Sequence, residues 1–212
     1  IIVAGFLFQP FNENWQHLVD YLLADYVTNS LILMVGVSVG VLSMGIITAW
    51  FTSMVEFPGR RFFSWALLLP LAIPAYIIAY TYSGMLDFAG PVQSALREWF
   101  GWGAKDYWFP EVRSMGGAIM MLSLVLYPYV YMLARSSFIT QGNSTVEAAR
   151  SLGLSPWGAF FRISVPTARP AIVAGLSLAL METLADFGTV AIFNFDTFTT
   201  AIYKAWFGLF NL

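Results

Sequence analysis

Four long apolar segments, separated by polar stretches, organise this chain. They run from about Asn29 to Ser53, Phe62 to Met85, Ser114 to Phe138 and Pro170 to Phe193. The first two carry no charge, the third only Arg135, and the fourth Glu182 and Asp186. A bilayer core about 30 Å thick needs roughly 20 apolar residues as helix, so each segment reads as a span. The predicted fold is all-α, a polytopic transmembrane helix bundle. Residues 1–8 are apolar but too short to span, and read as the tail of a helix that starts before Ile1. Residues 1–212 then form one truncated transmembrane domain.

Local chemistry refines the segments. Thr28 or Asn29 is expected to cap the first by accepting a free backbone N–H. Gly36, Gly40 and Gly45, with Ser38 and Ser43, space small residues along that helix. Such spacing lets helices approach closely in lipid, although glycine is also simply common in membrane helices. Pro70 and Pro74 each remove a helix hydrogen bond from the second segment, and a kinked span is the expected result. Between the second and third segments, about 86–113, Trp99, Trp102, Tyr107 and Trp108 mix with Arg97, Glu98, Lys105 and Asp106. That mixture belongs at a membrane–water boundary. A short helix over about Val92–Phe100 is expected to lie in the interface.

Composition narrows the class. Of 212 residues, 58% are hydrophobic and 10% charged, and the mean hydropathy is +0.70. Soluble domains carry about 25% charged residues, so a soluble enzyme does not fit. A net charge of −2 offers no basic face for a nucleic-acid backbone. There is no cysteine, hence no disulfide or thiolate site. Arg60 and Arg61 lie between the first and second segments, and Arg135, Arg150, Arg162 and Arg169 at the junction of the third and fourth. The positive-inside rule therefore places loops 54–61 and 139–169 in the cytoplasm, against the mixed charges of Lys105 and Arg113 outside.

Residues 139–169 are the most informative. Ser144-Thr145-Val146-Glu147 fits a capping box, Ser144 capping the helix and Glu147 reaching back. That helix is expected to reach about Leu152, with Gly153 as its left-handed C-cap. Ser155-Pro156 then restarts a helix to about Ile163, before Pro166 and Pro170 break the pattern. The prediction is a cytoplasmic helical hairpin over 144–163. Capping boxes and C-cap glycines recur in many loops, so the hairpin alone marks no function.

Its spacing adds more. Glu147-Ala148-Ala149, three residues, Gly153, nine residues, Ile163, one residue and Pro166 resembles the EAA loop of binding-protein-dependent ABC importer permeases, whose fold is of the MetI-like type. Val165 stands where that family has Leu. The resemblance implies that Glu147, Ala148, Ala149, Gly153, Ile163 and Pro166 form a coupling element that docks on an ATP-binding subunit. It also implies a dimer of those subunits, an external substrate-binding protein, a second permease half in the same full-length chain, and the bacterial inner membrane. Met181 to Val190 and Phe195 to Tyr203, with Phe8 to Trp15, are similar to the ferric-iron subgroup. Permeases for thiamine, sulfate and polyamines share much of that scaffold.

Glu182 and Asp186 lie four apart, on one helix face, in a segment where an acid costs about 2.5–3.5 kcal/mol to insert. Two readings stand. The pair lines the route of a transported cation, or it sits near the outer boundary bonded to backbone, which is the commoner situation. His17 is the sole histidine, and a lone histidine is more often a surface residue than a ligand, so no metal ligand is assigned. Neither Lys105 nor Lys204 stands in a P-loop pattern, so the chain is expected to bind no cofactor, with ATP on the partner subunit. It is read as a transport subunit rather than an enzyme. A gradient-driven transporter remains the rival from another class.

Overall fold

The computed structural model describes residues 22–151 and 153–208, and among them every regular element is a helix. The expectations on residues 1–8, on Phe8 to Trp15 and on His17 lie outside the described residues. Helix α1 spans Leu23–Met54. A broken segment follows: α2 (Arg60–Ala66), a 3-10 turn (Leu69–Ala72) and α3 (Ala75–Leu86). Then come α4 (Pro91–Phe100), α5 (Met115–Ser151), α6 (Pro156–Ala159), a π turn (Phe160–Ser164) and α7 (Val165–Ala185). Two short helices close the described chain, α8 (Gly188–Ile192) and α9 (Phe198–Gly208).

Among the described residues, three stretches are long and apolar enough to cross a membrane: Leu23–Met54, Met115–Gly142 and Pro156–Ala185. The central one is Met115–Gly142, whose most apolar window is 61% buried against 22% and 28% for the other two. It packs against both α1 and α7. Glycines permit the approach. A Cβ on Gly36 would stand 2.5 Å from Ile119, one on Gly45 2.7 Å from Val130, and one on Gly175 2.8 Å from the Val130 Cα. The small residues of α1 therefore serve close helix contact. In lipid such packing takes over the role that hydrophobic burial plays in water.

The first span differs from the sequence expectation at its start. It begins at Leu23, six residues ahead of Asn29, because the run Leu22 to Val27 continues the apolar pattern. Neither Thr28 nor Asn29 caps it. Asn29 Nδ2 instead donates to the Asp196 carbonyl at 2.9 Å, and Ser30 Oγ accepts from Phe198 N at 3.1 Å. These bonds tie the start of α1 to the segment that leads into α9.

The second segment is a broken element rather than a kinked 62–85 span. Its two helical parts, Arg60–Ala72 and Ala75–Phe100, meet at 94°. The break starts ahead of Pro70, where Leu68 N bonds Trp65 O and Leu71 N bonds Leu68 O in 3-10 fashion. The carbonyls of Ser64 and Leu67 thereby lose their helical donors. Two tyrosines of α5 replace them: Tyr131 Oη donates to Ser64 O and Tyr127 Oη to Leu67 O, both at 2.9 Å. A freed carbonyl in a membrane protein needs such a neighbour, because lipid supplies no donor.

The third and fourth segments also run differently. Helix α5 continues past Phe138 to Gly142, whose φ of 71° and ψ of 165° interrupt it before a further helical stretch to Ser151. The fourth helix begins well before Pro170 and stops at Ala185, not Phe193. Neither proline ends it. Pro166 lies in the first turn of α7, and the π turn ahead of it, closed by Val165 N to Phe160 O, absorbs the change of phase. Pro170 sits one turn further on, inside the helix.

Candidate functional site: the hairpin and the end of the bundle it joins

The hairpin is built from its two turns. Gly153 has φ +89°, and Leu154 N donates to Ala149 O at 3.1 Å, the six-to-one bond of a Schellman cap. No atom stands within 4 Å of a Cβ built on Gly153. The residue is needed for its backbone angle, not for space. Ser155 Oγ then accepts from Gly158 N at 3.1 Å, which starts α6 with Pro156 in its first turn. The capping box is placed differently. Helix resumes directly after Gly142, so Ser144 lies inside it. The Ser144 and Thr145 side chains lie outside the described residues, as does Leu152. Ser151 Oγ bonds back to Glu147 O at 3.0 Å.

The hairpin has two faces. Ala149, Ala159 and Phe160 are buried, and the Phe160 ring meets Trp50 of α1 edge-on at 4.9 Å. Trp50 in turn meets Phe138 of α5 at 5.6 Å. Those contacts fasten the inner face to the bundle. On the other face Glu147, Ala148 and Gly153 are exposed, beside Trp157 at 59% and Phe161 at 64% exposure. Ile163 and Pro166 are half-buried in the stretch that joins the hairpin to α7. Of the six family-motif residues, three therefore face outward and three support the hairpin from behind.

Two irregular points join this hairpin to the spans. Gly142 occupies a backbone region open almost only to glycine, and the π turn Phe160–Ser164 is wound more loosely than its neighbours. They lie against each other: Gln141 Nε2 reaches Ser164 O at 3.4 Å. The sequence reading of 139–169 singled out neither feature.

The same end of the bundle holds loop 54–61. Gly59, with φ +86°, turns the chain into α2, and Arg60 folds back onto α1. Its Nε donates to Thr52 O at 2.8 Å and its Nη2 to Ser53 O. This guanidinium caps the last carbonyls of α1 and opposes the negative end of the helix dipole. Met115–Gly142 is 28 residues, about 40 Å of helix, which separates this end from the loop at 86–113. At that far end Arg113 pairs with Asp87 at 3.5 Å. Helix α4 is held by Tyr107 Oη donating to Gln93 Oε1 and by Arg97 donating to Tyr107 Oη, both at 2.7 Å.

Glu182 and Asp186 do not form a pair on one helix face. Helix α7 ends at Ala185, and Asp186 is extended, with ψ 127°. Its carboxylate accepts from Thr189 N at 2.9 Å, Val190 N at 3.2 Å and Thr189 Oγ1 at 3.0 Å. From one residue ahead of the N-cap position, Phe187, it caps the free N–H groups of α8, which packs against α3. Glu182 is exposed on α7. Among the described residues no three His, Cys, Asp or Glu side chains group as a metal site.

Residues 41–206 match the family described as "Binding-protein-dependent transport system inner membrane component". The chain belongs to this family. By that membership it is an inner membrane component of a binding-protein-dependent transport system, multi-pass and helical throughout the described residues. Relatives differ in their named solutes. The chain is 31% identical over 189 residues to an "Fe(3+)-transport system permease protein FbpB 2" of Haemophilus influenzae, covering 89% of this chain and 33% of that protein. It is 29% identical over 152 residues to a "Molybdenum transport system permease protein ModB" of the same species, covering 72% and 63%. It is 26% identical over 146 residues to the "Sulfate transport system permease protein CysT" of Escherichia coli, covering 69% and 50%. The chain thus spans less than two thirds of the length of these relatives.

Proposed function

We propose that this permease chain moves ferric iron inward across the inner membrane, driven by ATP hydrolysis on a partner subunit. The exposed face of the hairpin, Glu147, Ala148, Gly153, Trp157 and Phe161, is the surface on which that subunit docks. An external binding protein delivers the ion at the opposite end, near 86–113. A second permease half, fused in the full-length chain, completes the path. ATP-driven closure of the partner dimer tilts the hairpin, and the contacts of Phe160 with Trp50 carry the tilt to α1 and α5. The bundle then switches between inward-open and outward-open states, whose populations ATP biases through that contact.

The observation that carries this reading is the family motif folded as a hairpin with one fastened and one free face. Iron is favoured by the relative named for Fe(3+) transport and by Glu182, a carboxylate exposed on a membrane helix. An acid on the path attracts a trivalent cation and repels oxyanions such as molybdate and sulfate. Those oxyanions are the second reading, supported by the names of two relatives.

The test is ATP hydrolysis by the full-length permease reconstituted with its ATPase. Stimulation by iron-loaded binding protein and none by binding protein loaded with molybdate or sulfate supports the proposal, together with a loss of iron transport in Glu182→Gln. Stimulation by an oxyanion instead overturns the iron assignment. Stimulation by neither, with ATPase unbound, overturns the docking surface.

A further inference from the structure

Between loop 54–61 and α5 lies a cleft of about 560 Å³ walled by Glu56, Arg60, Arg61, Ser64 and Arg135. Three guanidiniums face one carboxylate, which leaves the cleft with two uncompensated positive charges. The described residues form two ion pairs, Asp87 with Arg113 and Asp196 with Lys204, and neither is here. Arg60 is occupied with the end of α1, through its Nε and Nη2. Arg61 and Arg135 are not. The Nε of Arg135 is buried without an acceptor, a costly state for a cationic donor unless an anion enters.

The same short helix shows what kind of anion. Phe62, Phe63 and Trp65 of α2 are 55%, 46% and 53% exposed. They form a joined apolar surface, Phe62 meeting Phe63 at 5.5 Å and Trp65 at 5.4 Å, both edge-on. Arginines lining a cleft, with exposed aromatics on the same short helix outside its lining, match the two levels of a lipid monolayer, phosphate and acyl chain. A guanidinium also suits a phosphodiester better than an ammonium does, because its fork bonds two oxygens at once.

From these observations we infer that the cleft binds an acidic phospholipid. Its phosphodiester sits between Arg61 and Arg135, and its chains lie along Phe62, Phe63 and Trp65. The inference needs only a membrane-embedded chain, so it stands or falls apart from the identity of the transported solute. A zwitterionic lipid brings its own ammonium into an already positive cleft. Inorganic phosphate has the charge but nothing to cover the aromatics.

The test uses the full-length permease in nanodiscs. Quenching of the Trp65 emission, taken as the difference between the wild type and Trp65→Phe, is measured with brominated phosphatidylglycerol and with brominated phosphatidylcholine. The expected result is a preference for phosphatidylglycerol of about five-fold per free arginine. It is lost in Arg61→Gln/Arg135→Gln, weakened but not lost in Arg135→Lys, which keeps the charge without the fork, and unaffected by inorganic phosphate at millimolar concentration. Thermal unfolding of each variant serves as the folding control. Equal quenching by the two lipids overturns the inference, as does an unchanged preference in the double glutamine variant. Displacement of the acidic lipid by inorganic phosphate overturns the lipid assignment and leaves a simple anion site.

Discussion

Gly153→Ala weakens the hairpin through backbone strain alone. At φ +89° the residue lies where a side chain costs about 1–2 kcal/mol, and no atom within 4 Å of the new Cβ adds a clash. A penalty of that size lowers the ratio of correctly angled to misangled hairpins by a factor of about 5–30. Size is therefore not the variable. Asparagine, which tolerates the left-handed region, loses least; alanine loses more; valine, β-branched, loses most. The assay is titration of the purified ATPase against the full-length permease in detergent, with binding read at equilibrium. Membrane levels should stay constant across the series, because α1 and the spanning part of α5 make no use of Gly153. The expected order of affinity is glycine, asparagine, alanine, valine. Wild-type affinity in both alanine and valine variants would refute the reasoning, as would asparagine binding worse than valine.

Asp186 is predicted to matter as a cap, not as a charge. Asp186→Asn keeps an acceptor for Thr189 N and should transport nearly normally, while Asp186→Ala loses about 1 kcal/mol of stability; lost transport in the asparagine variant assigns the charge to the path instead. Tyr131→Phe and Tyr127→Phe each leave a carbonyl of the broken segment without a donor, at about 1–3 kcal/mol. A lower midpoint of thermal unfolding in each variant is expected, and an unchanged midpoint means those carbonyls have other donors. Gly175→Ala brings a Cβ 2.8 Å from the Val130 backbone, an overpacking cost of about 1–3 kcal/mol. Gly84→Ala, with nothing within 4 Å, is the matched control and should be neutral or slightly stabilising in the same melt.

The sequence made the class legible because charge is scarce over long stretches, and lipid tolerates little else. The hairpin was legible for a different reason: its turns need particular residues. Gly153 supplies a left-handed angle and Ser155 a side-chain acceptor, and both act within a few positions of themselves. The boundaries were less legible, since they depend on partners far along the chain. Asn29 looked like a cap and is a tether to Asp196. Pro70 and Pro74 looked like kinks, yet the break begins ahead of them and is held by Tyr127 and Tyr131 from α5. Pro166 looked like a stop, but a π turn shifts the helix around it. Asp186 looked like the partner of Glu182 because helical spacing was assumed through Phe193, and the helix ends one residue too soon. The Arg60 cap on α1 left no local sign, as its acceptors lie seven and eight residues back across a turn.

Uptake of radiolabelled ferric iron tests the central claim most directly. Cells carry the full-length parent gene, its deletion, or the Gly153→Val variant at equal membrane levels. The account predicts that uptake requires the gene and collapses in the variant. Iron uptake that survives the deletion contradicts the iron assignment, and full uptake through Gly153→Val contradicts coupling by the hairpin.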